Sequence, residues 1–444
     1  MTIVLSESQQ LAFNKYKLGE NVFITGPGGS GKSELIRTIV EDAKDFGKNV
    51  QVCALTGTAA VLLQCNAKTI HSWGGIGLGN GDNLAVANKV NKSKFKKKNW
   101  KMVDLLIVDE VSMMSLKLFE LLEMTARLCR RNVKVFGGIQ VLFTGDFYQL
   151  PPVGTEAEPD TCKFCFESPL WGRVFTNQIQ LKEIFRQTDD VYKKILNQIR
   201  VGKMTKSSVA KLNDFVGRKV PDGETMIPPI LFPIRRRVDQ VNSRSLGSLT
   251  GSEKTYEFMH CDVNDLQLTE TKVSLAAIYS EEDKKREYEY MVINVNFDKK
   301  LTLKEGAQVM CVANIDMQNE KTPVCNGSQG IVEKIDETDG LPIVRFKNGR
   351  SMKIGYHIWQ SEKIPTVGVK QIPLILAWAI TIHKSQGASL DMAEIDIGKG
   401  IFECGQTYVA LSRLRSMDGL YLKSFDLSKI TINKKVRDFY DALE

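Results

Sequence analysis

Residues Gly26-Pro27-Gly28-Gly29-Ser30-Gly31-Lys32-Ser33 fit the pattern G-x-x-x-x-G-K-[ST] and stand directly after the apolar run Val22-Phe23-Ile24. Small and rigid residues at these places let successive backbone N–H groups curl around a polyphosphate. The next segment, Glu34 to Val40, has helical spacing, so a helix N-terminus is expected to face the same anion. Lys32 is expected to reach the β- and γ-phosphates, and the Ser33 hydroxyl to ligate magnesium. ATP and Mg2+ are therefore the expected cofactors, and the octet fixes a strand, a loop and a helix in that order.

Downstream runs are read by what such a nucleotide requires. Leu105-Leu106-Ile107-Val108 is an apolar strand ending in Asp109-Glu110. Asp109 is expected to hold the magnesium and Glu110 to polarise the attacking water. A strand is expected at Lys48–Leu55, leading into Thr56-Gly57-Thr58-Ala59-Ala60, whose small residues allow a ligand backbone to come close. Thr69-Ile70-His71-Ser72-Trp73 adds hydroxyls, an imidazole and an aromatic face. A helix is expected from Leu116 to Arg131, then a strand at Val141–Thr144 followed by Gly145-Asp146-Phe147-Tyr148-Gln149. Gln149 at that strand end can sense a γ-phosphate without titrating. Arg186, in Phe185-Arg186-Gln187, is a second candidate for γ-phosphate contact. Ahead of the loop, Ser6 can cap a helix carrying Gln9, whose amide can both donate to and accept from adenine.

Strands alternating with helices argue for a doubly wound parallel sheet. The texture changes between about 290 and 370, where short strand-like runs are broken by Asn326-Gly327 and Asn348-Gly349; this reads as a small inserted β-barrel. Parallel-sheet texture returns at Pro373–Ile380, followed by Thr381-Ile382-His383-Lys384-Ser385-Gln386-Gly387 and then Gly405 to Arg413.

At 444 residues the chain is long enough for two to four domains. No apolar run approaches the roughly 18 residues of a membrane span, so no membrane partner is expected. Nine cysteines without a framework spacing favour reduced thiols, and hence a soluble intracellular protein, cytoplasmic or nuclear. Cys162 and Cys165 have metal-ligand spacing but lack two further ligands nearby. The formal net charge of +8 is modest, but Lys89, Lys92, Lys94, Lys96, Lys97, Lys98 and Lys101 crowd together, and Arg235-Arg236-Arg237 form a second cluster. Such patches can neutralise a phosphate backbone.

Taken together, Asp109-Glu110, GDFYQLPPV, FRQ, TIHKSQG and YVALSR, in this order behind the phosphate loop, resemble the superfamily 1 helicases. Within them the chain resembles the PIF (petite integration frequency) family, relatives of the RecD-type enzymes, on the stretch from Ser115 to Gln140 ending in FGGIQ. The resemblance runs from Gln9 to about Leu422. It implies an α/β fold of two RecA-like P-loop NTPase domains with the nucleotide between them. The first is expected over 1–185 with a small insertion at about 64–102, and the second over 186–289 and 371–444. The barrel-like insertion occupies 290–370.

Matching motif positions imply Gln9 on adenine and Gly26, Pro27, Gly28, Gly29, Ser30, Gly31, Lys32 and Ser33 on the phosphates. Catalysis is expected of Lys32, Glu110, Gln149, Arg186 and Arg413, the two arginines as fingers, with magnesium on Ser33 and Asp109. Thr56, Thr58, His71, Ser72, Phe147, His383 and Lys384 are expected to line a track for single-stranded DNA. The implied activity is an ATP-dependent DNA helicase, moving 5′ to 3′ by resemblance alone, acting as a monomer on tailed or forked duplexes in replication, repair or recombination. Competing readings are an ATP-dependent DNA clamp and a subunit of a RecD-like complex. The motor is favoured because both halves carry their full sets of nucleotide and DNA motifs, and the FGGIQ-type stretch argues against the RecD-like subunit.

Overall fold

The apolar run Leu105–Asp109 is buried along its whole length, as a strand covered on both faces must be. It is one of six strands that form one sheet of the computed structural model: β1 (Val22–Thr25), β2 (Val50–Ala54), β3 (Lys68–Thr69), β4 (Leu105–Asp109), β5 (Gln140–Gly145) and β6 (Asn177–Gln180). They lie in the order β3-β2-β4-β5-β1-β6, and every pair is parallel. Residues 4–443 are described, apart from 64, 78, 221–225, 233, 262–265, 267, 269–272, 274–277, 295–296, 317–323, 362–363, 383–384, 386–388, 399–400 and 402.

Alternation along the strands divides the core into two layers. Phe23, Leu106 and Val108 point into one apolar cluster, while Val22, Ile24, Leu105 and Ile107 point into another. The second cluster is closed by α1 (Glu7–Lys17) and α2 (Lys32–Asp45), which buries Leu35, Ile36, Ile39, Val40 and Ala43 at helical spacing. After β2 and β3 come the short helices α3 (Gly57–Leu63) and α4 (Ile70–Trp73). The insertion expected near 64–102 holds α5 (Asn83–Lys92) and α6 (Lys94–Met102). Next, α7 (Leu116–Arg130) packs Phe119, Leu122 and Ala126 into the first cluster. Two further helices, α8 (Trp171–Val174) and α9 (Asp190–Arg200), complete this part of the chain.

By its internal contacts the chain forms two compact units, one of residues 1–209, 402–412 and 426–444, the other of 210–401 and 413–425. The grouping of all of 371–444 with the second domain is thus revised. The physical reason is the C-terminal helix Lys434–Asp441, which buries Val436 and Tyr440 in the first unit's core. Phe439 reinforces this, stacking on Phe166 at 4.4 Å and meeting Phe147 edge-on at 5.3 Å.

The second unit also has a parallel sheet, of strands 379–381, 230–232, 393–397 and 420–425 in that spatial order. Its antiparallel part contains the five strands 351–353, 342–346, 329–335, 308–311 and 374–376, again in spatial order. The turn expected at Asn348-Gly349 joins the first two of these. Strands 253–257 and 300–304 pair separately, as do 357–360, 368–371 and 259–260. Among the described residues these pairings form separate antiparallel sheets. The parallel-sheet texture expected at 373–380 holds only for its second part: Leu374–Leu376 pairs antiparallel with 308–311, and Ala379–Thr381 parallel with 230–232. Gln308 fixes the switch, its Nε2 donating to the Ala377 carbonyl at 2.9 Å.

Candidate active site

The C-terminal ends of β1, β4 and β5 present the phosphate loop, the acid pair and the Gln149 turn at one edge of the parallel sheet. The loop leaves β1 at Thr25 and enters α2 through Gly29 and Gly31, both left-handed at φ 88° and 80°. A Cβ at Gly29 would stand 2.6 Å from Arg186 Cβ, and one at Gly31 2.5 Å from Gln9 Nε2. Both glycines are therefore needed for conformation and for close approach.

Gln9 is buried and shared between two tasks. Its Oε1 accepts from Ser6 N at 2.9 Å in a capping box, and its Nε2 donates to the Ser30 and Gly31 carbonyls at 3.4 Å. It thus stands against the loop, where an adenine reader is expected. Lys32 Nζ donates to the carbonyls of Gly26 at 2.7 Å and Pro27 at 3.0 Å, which hold the ammonium over the loop it serves. Burial pulls the Lys32 ammonium below the ordinary lysine range, opposed by the carboxylates of Asp146, Glu110 and Asp109. Ser33 lies exposed on the first turn of α2.

Asp109 is buried at the end of β4, where its Oδ1 accepts from Glu110 N at 2.8 Å and from the Thr144 hydroxyl. Burial raises its carboxyl above the usual range, while those two donors and Lys32 pull the other way. A divalent cation would add the positive charge this carboxylate lacks. Glu110 sits at φ 58°, ψ 38°, a left-handed conformation that costs a non-glycine residue roughly 1 kcal/mol or more. That strain turns the chain sharply at the strand end, where a water-orienting carboxylate is needed. Gln149 is buried with its backbone N on the Asp146 carbonyl at 2.9 Å. Its side-chain Oε1 has no hydrogen-bond partner among the described residues. A buried acceptor at this edge without a protein donor fits a ligand that donates to it, such as a bound water. The glycine loop, the lysine, the Ser33 hydroxyl and the buried Asp109 together fit a magnesium-bound nucleoside triphosphate.

Arg186 belongs to the same unit and lies against the loop, since Phe185 N donates to the Gly29 carbonyl at 2.8 Å. Arg186 Nη1 and Gln187 Nε2 both donate to the Ser412 carbonyl, at 3.1 and 3.2 Å. Gly28 N donates to the Tyr408 hydroxyl at 2.8 Å. The segment leading up to Arg413 therefore packs with the phosphate loop in the first unit. Arg413 itself is buried in the second unit, where its carbonyl accepts from Leu390 N at 2.9 Å.

The expected DNA residues separate into three groups. Thr56 and His71 are half-buried and Ser72 exposed, at the C-terminal ends of β2 and β3. Thr56 Oγ1 accepts from Ala59 N at 3.2 Å. His71 lines a hollow of about 330 Å³ with Leu55, Ser115, Lys117 and Glu158, and burial lowers its imidazole pKa. Thr58 lies in α3, and its side chain, like His383 and Lys384, falls outside the described residues. Phe147 is a correction. It is 2% exposed within an aromatic cluster, with Phe166 at 4.7 Å and Phe23 at 5.3 Å, so its ring is core and offers no surface for stacking a base. Trp73, read as an aromatic surface, is likewise buried, against Trp100 at 4.6 Å. Of the cysteine pair, Cys162 is exposed and Cys165 buried. No group of three or more metal-ligating side chains occurs among the described residues.

Sequence reasoning missed Asp146, Arg200 and Tyr440. Asp146 is fully buried and held by Arg200 in a two-point ion pair, Nε to Oδ2 and Nη2 to Oδ1 at 2.9 Å each. Burial works against the Arg200 charge, but Asp146 overrides it and keeps the guanidinium protonated. Asp146 carried a signal, its place between Gly145 and Gln149. Arg200 and Tyr440 carried none, because nothing local distinguishes them from surface residues.

A family model for PIF1-like helicase matches residues 4–209, and a model for the 2B domain of DNA helicase Pif1 matches 291–335. The ATP-dependent DNA helicase RRM3 of Saccharomyces cerevisiae is 32% identical, covering 100% of this chain and 68% of its own length. The chain spans about two thirds of the length of the curated relatives it matches. The crystal structure of Pif1 helicase from Candida albicans superposes with a TM-score of 0.75 at 34% identity, covering 100% of both chains. Pif1 helicase from Bacteroides, solved with ADP-AlF3 and ssDNA, gives a TM-score of 0.64 at 28% identity over 99% of this chain and 97% of that one.

Proposed function

Because the chain belongs to the PIF1-like helicase family, we propose that it is an ATP-dependent DNA helicase that moves 5′ to 3′ along single-stranded DNA and opens tailed or forked duplexes. Its processes are replication, repair or recombination, and it works as a monomer in a soluble compartment that holds DNA. The observation that carries this reading is the gathering, at one edge of the parallel sheet, of the glycine loop with Lys32, the buried Asp109 beside Glu110, and the turn that bears Gln149.

Each side chain then has a task. Gln9 reads adenine and Lys32 binds the β- and γ-phosphates. Ser33 and Asp109 hold the magnesium, which supplies charge neutralisation for the departing phosphates. Glu110 accepts a proton from the water that attacks the γ-phosphorus as the bond to ADP breaks. Gln149 senses the γ-phosphate, and Arg186 and Arg413 stabilise its charge in the transition state. The names of the relatives support a DNA track, and the Bacteroides Pif1 solved with both ADP-AlF3 and ssDNA supports both ligands. Thr56, Thr58, His71, Ser72, His383 and Lys384 remain its proposed contacts, stacking and phosphate contacts giving sequence-tolerant binding.

Steady-state ATP hydrolysis with and without single-stranded DNA tests this directly. Strong stimulation that is lost in Lys32→Ala is the expected result. Equal hydrolysis with and without DNA contradicts a DNA-driven motor.

A further inference from the structure

The C-terminal helix reaches the catalytic edge through one atom. The Tyr440 hydroxyl lies 2.5 Å from Thr25 Oγ1, accepts from Phe147 N at 3.1 Å and donates to Asp146 Oδ1 at 3.3 Å. Thr25 is the last residue of β1, directly before the phosphate loop, and residues 146–149 form the turn that carries Gln149. One hydroxyl thus joins the strand that launches the loop to the turn that aims the amide.

The turn is organised around the Asp146 carboxylate. Its Oδ1 accepts from Tyr148 N at 3.3 Å as well as from Tyr440 and Arg200, and its own carbonyl accepts from Gln149 N at 2.9 Å. The Tyr440 ring stacks on Tyr148 at 4.6 Å and 12°, and the Arg200 guanidinium lies over both rings, 4.6 Å from Tyr148 and 5.2 Å from Tyr440. These groups are buried, with Thr25 and Asp146 at 0% exposure. Buried polar networks whose members are satisfied hold a single geometry, because every displaced donor or acceptor is left without water to replace its partner.

We propose that Tyr440 is a positioning residue for ATP turnover: by bridging Thr25 to the Asp146 turn, the C-terminal helix sets Gln149 relative to the phosphate loop. The Tyr440 hydroxyl is fully engaged by Thr25, Phe147 N and Asp146. Its effect passes through Gln149, so the inference rests on the reading of Gln149 as the γ-phosphate sensor.

The test compares Tyr440→Phe, Thr25→Val and the double variant, assayed as full chains with saturating single-stranded DNA well below their melting midpoints. Tyr440→Phe keeps the stacked ring and removes only the hydroxyl. The expected result is a fall in kcat for ATP of about tenfold with KM changed less than about twofold. The double variant should be no worse than the poorer single one, since both changes cut the same bridge. A lowered melting temperature with unchanged kcat would show a purely structural hydroxyl and overturn the proposal, as would losses that multiply in the double variant. Gln149→Ala runs alongside. If it lowers kcat while Tyr440→Phe does not, the sensor stands and the positioning role falls. If Gln149→Ala leaves kcat unchanged, both fall together.

Discussion

Two regions at the ends of the same parallel strands treat polar side chains in opposite ways. Around the phosphate loop they are drawn inward: Asp109, Asp146, Gln149 and Arg200 are buried, and Lys32 is folded onto backbone carbonyls. On the Thr56–Ser72 side and across α5 and α6 they are left outside, with Ser72, Lys94 and Lys98 exposed to solvent and Lys96 exposed but donating to the Gly75 carbonyl. A buried charge is costly unless its partners are built into the fold, so the first region is arranged before any ligand arrives. An exposed lysine or serine costs little and waits for its partner to come from solution. Substitutions in the first region should therefore abolish turnover or stability outright, and those in the second should grade binding.

The largest expected effect is at Glu110. Glu110→Gln should lower ATP turnover on the order of a hundred- to ten-thousandfold while still binding ATP, as the loss of a general base does. Normal turnover in that variant would remove Glu110 from the role. Next comes the ion pair beneath the Gln149 turn. Arg200→Met leaves the Asp146 carboxylate buried without its counter-charge and should cost about 3–5 kcal/mol of stability, read by chemical denaturation. Adding Asp146→Asn should recover part of that loss; no recovery would mean that Arg200 acts by packing and not by charge.

The exposed side should respond more gently. Replacing Lys94, Lys96 and Lys98 with Gln should flatten the dependence of DNA affinity on salt, by roughly 0.7 in log–log slope for each phosphate that is no longer neutralised. An unchanged slope would make the lysine cluster an ordinary solvated face and weaken the contrast. The smallest effect belongs to His71. Its folded pKa is lowered by burial, so the unfolded chain takes up the proton more readily. Stability from this group is complete above the unfolded pKa of about 6.5 and is lost as pH falls through it. His71→Gln should flatten the stability profile between neutral and mildly acidic pH, and an unaltered profile would mean that the imidazole is already solvated.

The same contrast explains what could be read from the sequence. The octet Gly26–Ser33, the strand ending in Asp109 and the cap at Ser6 are local patterns, and the fold places them as the patterns require. Phe147 escapes such a reading because its motif neighbours face the site while its own ring turns the other way, into the cluster with Phe23 and Phe166. The split of 373–380 into two strands depends on Gln308, about seventy positions upstream, and no periodicity within the run could announce it. Tyr440 is the extreme case: its partners Thr25 and Asp146 are 415 and 294 residues away. The helix Lys434–Asp441 buries Val436 and Tyr440, and which of two units receives that face is decided by packing alone.

The motor itself is tested most directly by unwinding of one duplex carrying either a 5′ or a 3′ single-stranded tail, with ATP and with Lys32→Ala as the control. Opening of the 5′-tailed duplex alone, abolished by Lys32→Ala, is the expected result. Opening from the 3′ tail would contradict the proposed direction, and DNA-stimulated hydrolysis without opening of either duplex would contradict the helicase.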